Sequence, residues 1–348
     1  MDPLEALHRV AYLQDRGLVS SRKTAAFLRA AEVVAQLSDE ELSRRIDAGT
    51  LGELPGIGPS TSQVITQAAS GRVPDRITEL EESTQIPLGA GRGLRDAVRG
   101  DCHSHSTWSD GGAPIETMAR TAHSLGHEYL VVTDHSPRLT VAHGLNHQRL
   151  LAQLDEIDQL NQRLHDELDG FRILTGIEVD ILLDGTLDQD PELLERLDVV
   201  VASVHSKLSM PEREMTERMV KAVADPRVDI LGHCTGRKVK GFGDDQRTIR
   251  AQAKFDADMV FAACARFGTA VEINCRPERQ DPPPDLLDLA LEWDCAISID
   301  TDSHAPGQLE FIAYGCDKAA EHGIDESRIL NTWGADDLLA WTAGPRAA

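Results

Sequence analysis

The chain has 348 residues, and its 35 Lys+Arg against 58 Asp+Glu give a formal net charge of -23 and a pI near 4.9. That length suits one large α/β domain with a small companion better than a single compact domain. The acidity argues against coating nucleic acid by charge alone, which needs a basic face, and no run approaches the ~18 uncharged apolar residues of a membrane span.

Residues 1–16 include Asp2, Glu5, Arg9, Asp15 and Arg16. They leave no room for the apolar core of a secretory signal, so the chain reads as cytoplasmic, with no membrane partner. Residues 1–85 are expected to be all-helical. Phe27, Ala30 or Ala31, and Val34 recur at helical spacing, and Ser38 with Glu41 has the form of a capping box that opens a second helix. Leu54-Pro55-Gly56-Ile57-Gly58-Pro59-Ser60 is then a tight turn feeding a helix through Val64 and Ile65, a helix–turn–helix hairpin pattern. The N–H groups of Gly56, Ile57 and Gly58 at such a helix start can hold a phosphate without side-chain charge. The same residues also suit a plain interhelical turn.

Composition shifts at 87–93, Pro-Leu-Gly-Ala-Gly-Arg-Gly, so 86–99 is expected to be a flexible linker. Charge shifts with it: residues 1–99 hold 12 Lys+Arg and 14 Asp+Glu, so nearly all the acidity lies beyond them. Over 100–345, apolar runs at 129–132, 173–177, 199–204, 228–231, 270–273 and 296–299 are each followed by a polar or ionisable residue and a helical segment. Repeated β then α predicts a (β/α) barrel. His135, Glu178, His205, His233, Glu272 and Asp302 stand at the strand ends, 43, 27, 28, 39 and 30 residues apart.

Those strand ends carry the chemistry. On a strand, His103 and His105 project to one face, so both imidazoles can reach one metal. Asp110 follows in a Ser-Asp-Gly-Gly turn that can fold back to the same mouth. His135, Glu178, His205, His233, Asp302 and His304 then converge on one rim of a parallel barrel. Six histidines with three carboxylates at successive ends exceed what structural residues explain. These nine candidate ligands divide among three divalent ions at about three protein ligands each, leaving positions for water and substrate. Imidazole and carboxylate without thiolate suit Zn²⁺, Mn²⁺ or Fe²⁺. Cys102 and Cys234 are expected to point away from the ligands and pack. The six cysteines form no CxxC pair and fit neither a disulfide framework nor a zinc ribbon.

The motifs HSHSTWSDG, VVTDHS, GIEVDIL, ASVHS, GHCTGR, EINCRPER and DTDSH together resemble the polymerase and histidinol phosphatase (PHP) family, in the version appended to bacterial family-X DNA polymerases. The resemblance covers about 100–340 and fills every metal-ligand position of the family pattern. Residues 1–85 are similar to the small helical domain that begins those polymerases, with LPGIGPSTSQVI as its helix-hairpin-helix, and no polymerase core lies between. The resemblance implies a distorted (β/α)7 barrel with a trinuclear site, bridged by Glu178, and phosphoester hydrolysis by metal-activated hydroxide. Glu178 and Asp302 would serve catalysis, and Arg237 in GHCTGR and Arg279 in RPER match basic positions that grip phosphate. Exposed, salt-bridging arginines are the alternative. Three departures stand out: Cys234 replaces a common Pro, Pro59 and Ser60 stand where a basic residue is common, and Lys23 is the only lysine in 1–99. The last leaves no amine near the hairpin for Schiff-base lyase chemistry.

Three functions follow as expectations. The first is a phosphoesterase acting on DNA ends, a 3′–5′ exonuclease or 3′-end processor with weak, salt-sensitive DNA binding. The second is a small-molecule phosphatase such as histidinol phosphatase. The third is a non-catalytic module, against which the complete ligand set speaks.

Overall fold

The computed structural model describes residues 1–242 and 245–344. The chain forms two compact units, Met1–Ile86 with Ala305–Gln308, and Pro87–His304 with Leu309–Ala348. The first unit contains α1 (Pro3–Arg16), α2 (Ser21–Ala35), α3 (Asp39–Ala48), α4 (Pro59–Ala69) and α5 (Asp75–Ser83). Its core is one apolar cluster that includes Leu7, Val10, Phe27, Val34, Ile57, Ile65 and Leu80. Helix α1 starts where the Asp2 carboxylate accepts from Leu4 N and Glu5 N and Pro3 fills the first turn. Only half of the expected capping box forms at α3. Ser38 Oγ accepts from Glu41 N at 3.2 Å, but the Glu41 carboxylate turns to Arg44 and Arg45, whose opposite charge outcompetes the Ser38 amide.

The second unit is built on β1 (Gly100–Ser104), β2 (Tyr129–Val132), β3 (Arg172–Asp180), β4 (Val199–Ser203), β5 (Ile230–Leu231), β6 (Lys238–Lys240), β7 (Arg247–Arg250), β8 (Ala270–Asn274) and β9 (Ile297–Asp300). Seven of these run in the order β1-β2-β3-β4-β5-β8-β9, every neighbouring pair parallel. A parallel bridge from Ser104 to Ser303, with His105 N donating to Ser303 O at 2.8 Å, brings β1 back against the end of β9. The result is a nearly closed parallel α/β barrel. Its strands are buried on both faces, which is why they read as unbroken apolar runs. Leu130, Val132 and Ile173 pack with the helical residues Ile115, Met118 and Ile157. Their neighbours Tyr129, Val131 and Leu174 pack instead with Val201, Ile230 and Ala270.

One expectation is corrected here. The segment 86–99 is not a loose connector: Arg92–Ala97 is helical, and the N–H groups of Gly89 and Gly91 donate to the Asp317 carboxylate at 2.9 and 2.7 Å. A side chain at Gly91 would stand 2.3 Å from the Cys316 carbonyl carbon, so the glycine content serves close approach, not flexibility. The antiparallel pair β6–β7 was also not anticipated from the sequence. No described helix is long and apolar enough to cross a membrane.

Candidate metal centre

Glu178, near the end of β3, lies among five imidazoles. Its Oε2 stands 2.9 Å from His135 Nδ1, 3.4 Å from His103 Nε2 and 3.6 Å from His105 Nε2. Its Oε1 is 2.8 Å from His233 Nε2 and 3.1 Å from His205 Nε2. Asp110 Oδ1 approaches His135 Nε2 at 3.5 Å and His304 Nε2 at 3.4 Å, and Asp302 Oδ1 approaches His105 Nε2 at 3.4 Å. All nine residues singled out as ligands therefore meet in one cluster. Within it, three groups place their donor atoms within 4.8 Å of one another: His105, Asp110, His135 and His304; His103, His105 and Glu178; His135, Glu178 and His205. Glu178 belongs to two of them, while His233 and Asp302 stand beside the groups. Strand β1 is irregular between Asp101 and Ser104, so strict alternation does not hold where His103 and His105 were expected to share a face. Both rings nevertheless reach Glu178.

The donor chemistry fits divalent cations. Among the described residues, His103 Nε2, both nitrogens of His105 and His205, Nδ1 of His135 and His233, and Glu178 Oε2 are buried without a hydrogen-bond partner. The 2.9 Å approach of His135 to Glu178 is not along a hydrogen-bonding direction. Buried polar atoms left unpaired are costly, and lone pairs aimed at a common point are what a cation satisfies. The local field agrees. Burial would raise the Glu178 carboxyl, yet His205, His135 and His103 hold it well below its ordinary range. Burial works against protonation of His103, but the Glu272 and Glu178 carboxylates hold it well above an ordinary histidine. His233 is lowered to about 4 by burial and by Arg279. Asp302 and His233 also adopt positive φ, 49° and 20°. Such backbone is uncommon for residues other than glycine and clusters at functional sites.

Several positioning residues escaped the sequence reading. Glu272 accepts from His103 Nδ1 at 2.6 Å and from the His233 backbone N–H. A carboxylate only accepts, so His103 carries a proton on Nδ1, and the ring is oriented with Nε2 facing Glu178. Glu272 is not at a strand end as its spacing suggests: it is the third of the five residues of β8, where it orients its neighbours. Asp134 lies beneath the 106–110 turn and accepts from Ser106 N at 2.8 Å, Ser106 Oγ at 2.6 Å, Ser109 N at 3.1 Å and Gln153 Nε2 at 2.6 Å. It thereby sets where Asp110 points. Arg276, three residues before Arg279 in RPER, donates to Asp302 O at 2.7 Å and contacts His304 Nδ1 at 2.9 Å.

The two expected phosphate-gripping arginines separate. Arg279 Nε is 3.0 Å from Asp302 Oδ2, and its Nη1 is buried without a partner, so it lies in the centre with a donor to spare. Arg237 donates through Nε to Arg279 O at 3.0 Å and through Nη2 to Gln280 O. It is neither an exposed salt-bridging arginine nor aimed at the cluster, because backbone carbonyls claim its fork, and it braces the turn that carries Arg279. At the hairpin, Ile57 N donates to Leu54 O at 3.1 Å and Gly58 N to Thr61 Oγ1 at 2.9 Å. These two donors serve the turn itself, and Pro59 has none to add, so Ile57 and Gly58 do not offer the expected anion grip. Cys102 and Cys234 are buried, as packing residues are.

A parallel α/β barrel whose strand ends hold this histidine and carboxylate cluster defines a metal-dependent hydrolase. Residues 101–276, just over half of the chain, match the PHP domain. The chain belongs to the PHP family and is a metal-dependent phosphoesterase. It is 37% identical over 244 residues to the DNA polymerase/3'-5' exonuclease PolX of Bacillus subtilis, a match covering 70% of this chain and 41% of that protein. The chain thus spans less than half the length of that relative. A probable phosphatase of Thermoanaerobacter sp. is 28% identical over 244 residues, covering 67% of this chain and 89% of that protein. A solved histidinol phosphate phosphatase from Lactococcus lactis, complexed with zinc, L-histidinol and phosphate, is similar at 19% identity with a TM-score of 0.43, covering 64% of this chain and 93% of that one.

Proposed function

We propose that the barrel hydrolyses phosphodiesters at DNA ends, as a 3′–5′ exonuclease or 3′-end-processing enzyme. The observation that carries the substrate is the 37% identity to a polymerase/3'-5' exonuclease over 244 residues. The chemistry rests on the buried, unpaired donors around Glu178. Asp110, Glu178, Asp302 and the six histidines would hold divalent ions, three in number by the three donor groups, of Zn²⁺, Mn²⁺ or Fe²⁺ type. Bound there, such ions supply Lewis acidity toward phosphoryl oxygens and lower the pKa of coordinated water.

The chain's own residues do the rest. Arg279 offers its unpaired Nη1 to a phosphoryl oxygen while Asp302 fixes its orientation. Arg276 ties the Asp302 backbone to the His304 ring. Glu272 locks the His103 tautomer, and Asp134 holds the loop that presents Asp110. Six buried free cysteines suit a reducing compartment, which supports a cytoplasmic location. A small-molecule phosphatase is the second reading, supported by the probable phosphatase that matches along 89% of its length.

The deciding experiment incubates the protein and Mn²⁺ or Zn²⁺ with 5′-labelled single- and double-stranded DNA, and separately with histidinol phosphate. Progressive shortening from the 3′ end is the expected result. Rapid histidinol phosphate turnover with no DNA shortening would overturn the proposal in favour of the second reading.

A further inference from the structure

Between β5 and β8 the chain leaves the barrel as the β6–β7 ribbon, which the chemistry above does not use. Both strands are basic: Lys238 and Lys240 lie on β6, Arg247 and Arg250 on β7, and neither strand holds an acidic residue. The register sets Lys238 opposite Arg250 and Lys240 opposite Arg247. Both cross-strand pairs are therefore cation on cation, with an irregular step in the register between Lys238 and Val239. Like charges directly opposed destabilise a ribbon, and among the described residues none of the four enters an ion pair. All four side chains are exposed, while Val239 is buried beneath them.

The ribbon is joined to the metal centre. Val239 N donates to Glu278 O at 2.8 Å, and Gln280 Nε2 donates to Gly241 O at 3.0 Å. These bonds fasten it to the 276–280 segment, whose Arg276 and Arg279 hold Asp302. At the ribbon's end Phe242, 48% exposed, stacks on Tyr314 with ring centroids 5.2 Å apart and planes at 28°. A row of cations beside an exposed aromatic is how proteins hold single strands, phosphates on the charges and bases on the rings.

We infer that the ribbon grips a single nucleic-acid strand, with Lys238, Lys240, Arg247 and Arg250 following successive phosphates and Phe242 stacking a base, so that the strand's end reaches the metal centre. The inference rests on the DNA-end reading of that centre and adds the path of the substrate. A small monoester carries one phosphoryl group, which Arg279 already serves. Cations spaced about 7 Å apart along β6 and about 10 Å apart along β7 match a partner with repeating charge.

The test uses the full chain with Mn²⁺ and a fluorescein-labelled oligo(dT), capped by phosphorothioates against cleavage and about 20 nucleotides long, enough to exceed a typical single-strand site. Anisotropy gives Kd across a salt series. K240A/R247A should raise Kd at least tenfold and lessen the slope of log K against log salt by about 1.4, the share of two phosphate contacts. Its p-nitrophenyl phosphate hydrolysis should stay within about twofold, and its Tm should hold or rise because a like-charge pair is gone. K238Q/R250Q supplies the same readouts should the first variant lower the Tm. F242A should weaken oligo(dT) binding but not that of inorganic polyphosphate. Unchanged Kd and salt slope in the charge variants overturn the inference, as does competition by poly-glutamate equal to that by unlabelled oligo(dT). If the wild type binds oligo(dT) through the ribbon yet shortens no DNA, only the exonuclease reading falls.

Discussion

Glu272 illustrates how a residue can govern the metal centre without entering any of its donor groups. Its two oxygens accept from a ring nitrogen of His103 and the backbone of His233, and Asn274 Nδ2 adds a third donor at 3.2 Å. Glu272→Gln puts an amide NH₂ where one of those donors points, so His103 turns or changes tautomer. A 10- to 100-fold loss of metal affinity is the rough scale for such a partner, read by Mn²⁺ titration of the hydrolysis rate with circular dichroism unchanged. An unaltered titration would show that His103 is oriented by something else. A second residue governs acid stability away from the centre. His127 is buried with both ring nitrogens unpaired, and burial together with Arg95 lowers it from 6.5 to about 3. A histidine kept neutral in the fold binds its proton only on unfolding. Its contribution is therefore intact above pH 6.5 and lost as pH falls toward 3, at up to about 1.4 kcal/mol per pH unit. His127→Met should flatten the acid limb of a Tm–pH profile, and an unchanged limb would remove His127 as its cause.

Arg218 couples elements in the way Glu272 couples atoms. It sits on the helix Glu212–Val223, almost fully buried, and its guanidinium donates to Leu182 O at 2.9 Å, Ser206 O at 2.8 Å and Ile181 O. The segments that follow β3 and β4, next to Asp180 and His205, are thus held by one fork. Lysine keeps the charge but cannot make that fork, and each buried carbonyl left unpaired costs about 1–3 kcal/mol. A lysine ammonium can still serve one carbonyl and leaves two, so Arg218→Lys should lose at least about 2 kcal/mol in urea unfolding, along with part of the hydrolytic rate. A variant as stable as the wild type would mean that the two segments hold themselves. Among elements, the barrel strands were legible because parallel strands buried on both faces are continuous apolar runs that stop at an ionisable residue. Beside them the β6–β7 ribbon was invisible, since charged, exposed strands leave no apolar period to read. The glycines of 86–99 suggested freedom because nothing local reveals that Asp317, 226 residues beyond Gly91, claims their amides. Nor can a sequence say whether a buried strand carboxylate ligates or orients: Glu178 lies on β3 and Glu272 on β8, both among apolar neighbours, and only distances tell their tasks apart.

For the molecule as a whole, the charge of -23 bears on stability most directly where carboxylates are buried together, and the metal centre is that place. Ions that bind the fold but not the unfolded chain add RT ln(1 + [L]/Kd), about 2.7 kcal/mol per site when the ion stands at a hundredfold excess over Kd. In their absence protons take over part of the neutralisation. Burial disfavours the charged ring of His205, yet Glu178 and Asp180 raise it from 6.5 to about 9. A raised histidine contributes stability that is complete below pH 6.5 and lost as pH climbs through about 9. An ion must displace that same proton, so metal affinity strengthens over the window in which the metal-free fold weakens. The two limbs therefore diverge. Protein treated with chelator should melt at progressively lower temperature from about pH 6.5 to about pH 8.5, while Mn²⁺-loaded protein holds its Tm or gains, so the gap between them widens. Scanning fluorimetry with EDTA or Mn²⁺ across that range measures the gap directly. A gap that stays constant would show that His205 does not exchange a proton for a metal ion, and would remove it from the ligand set.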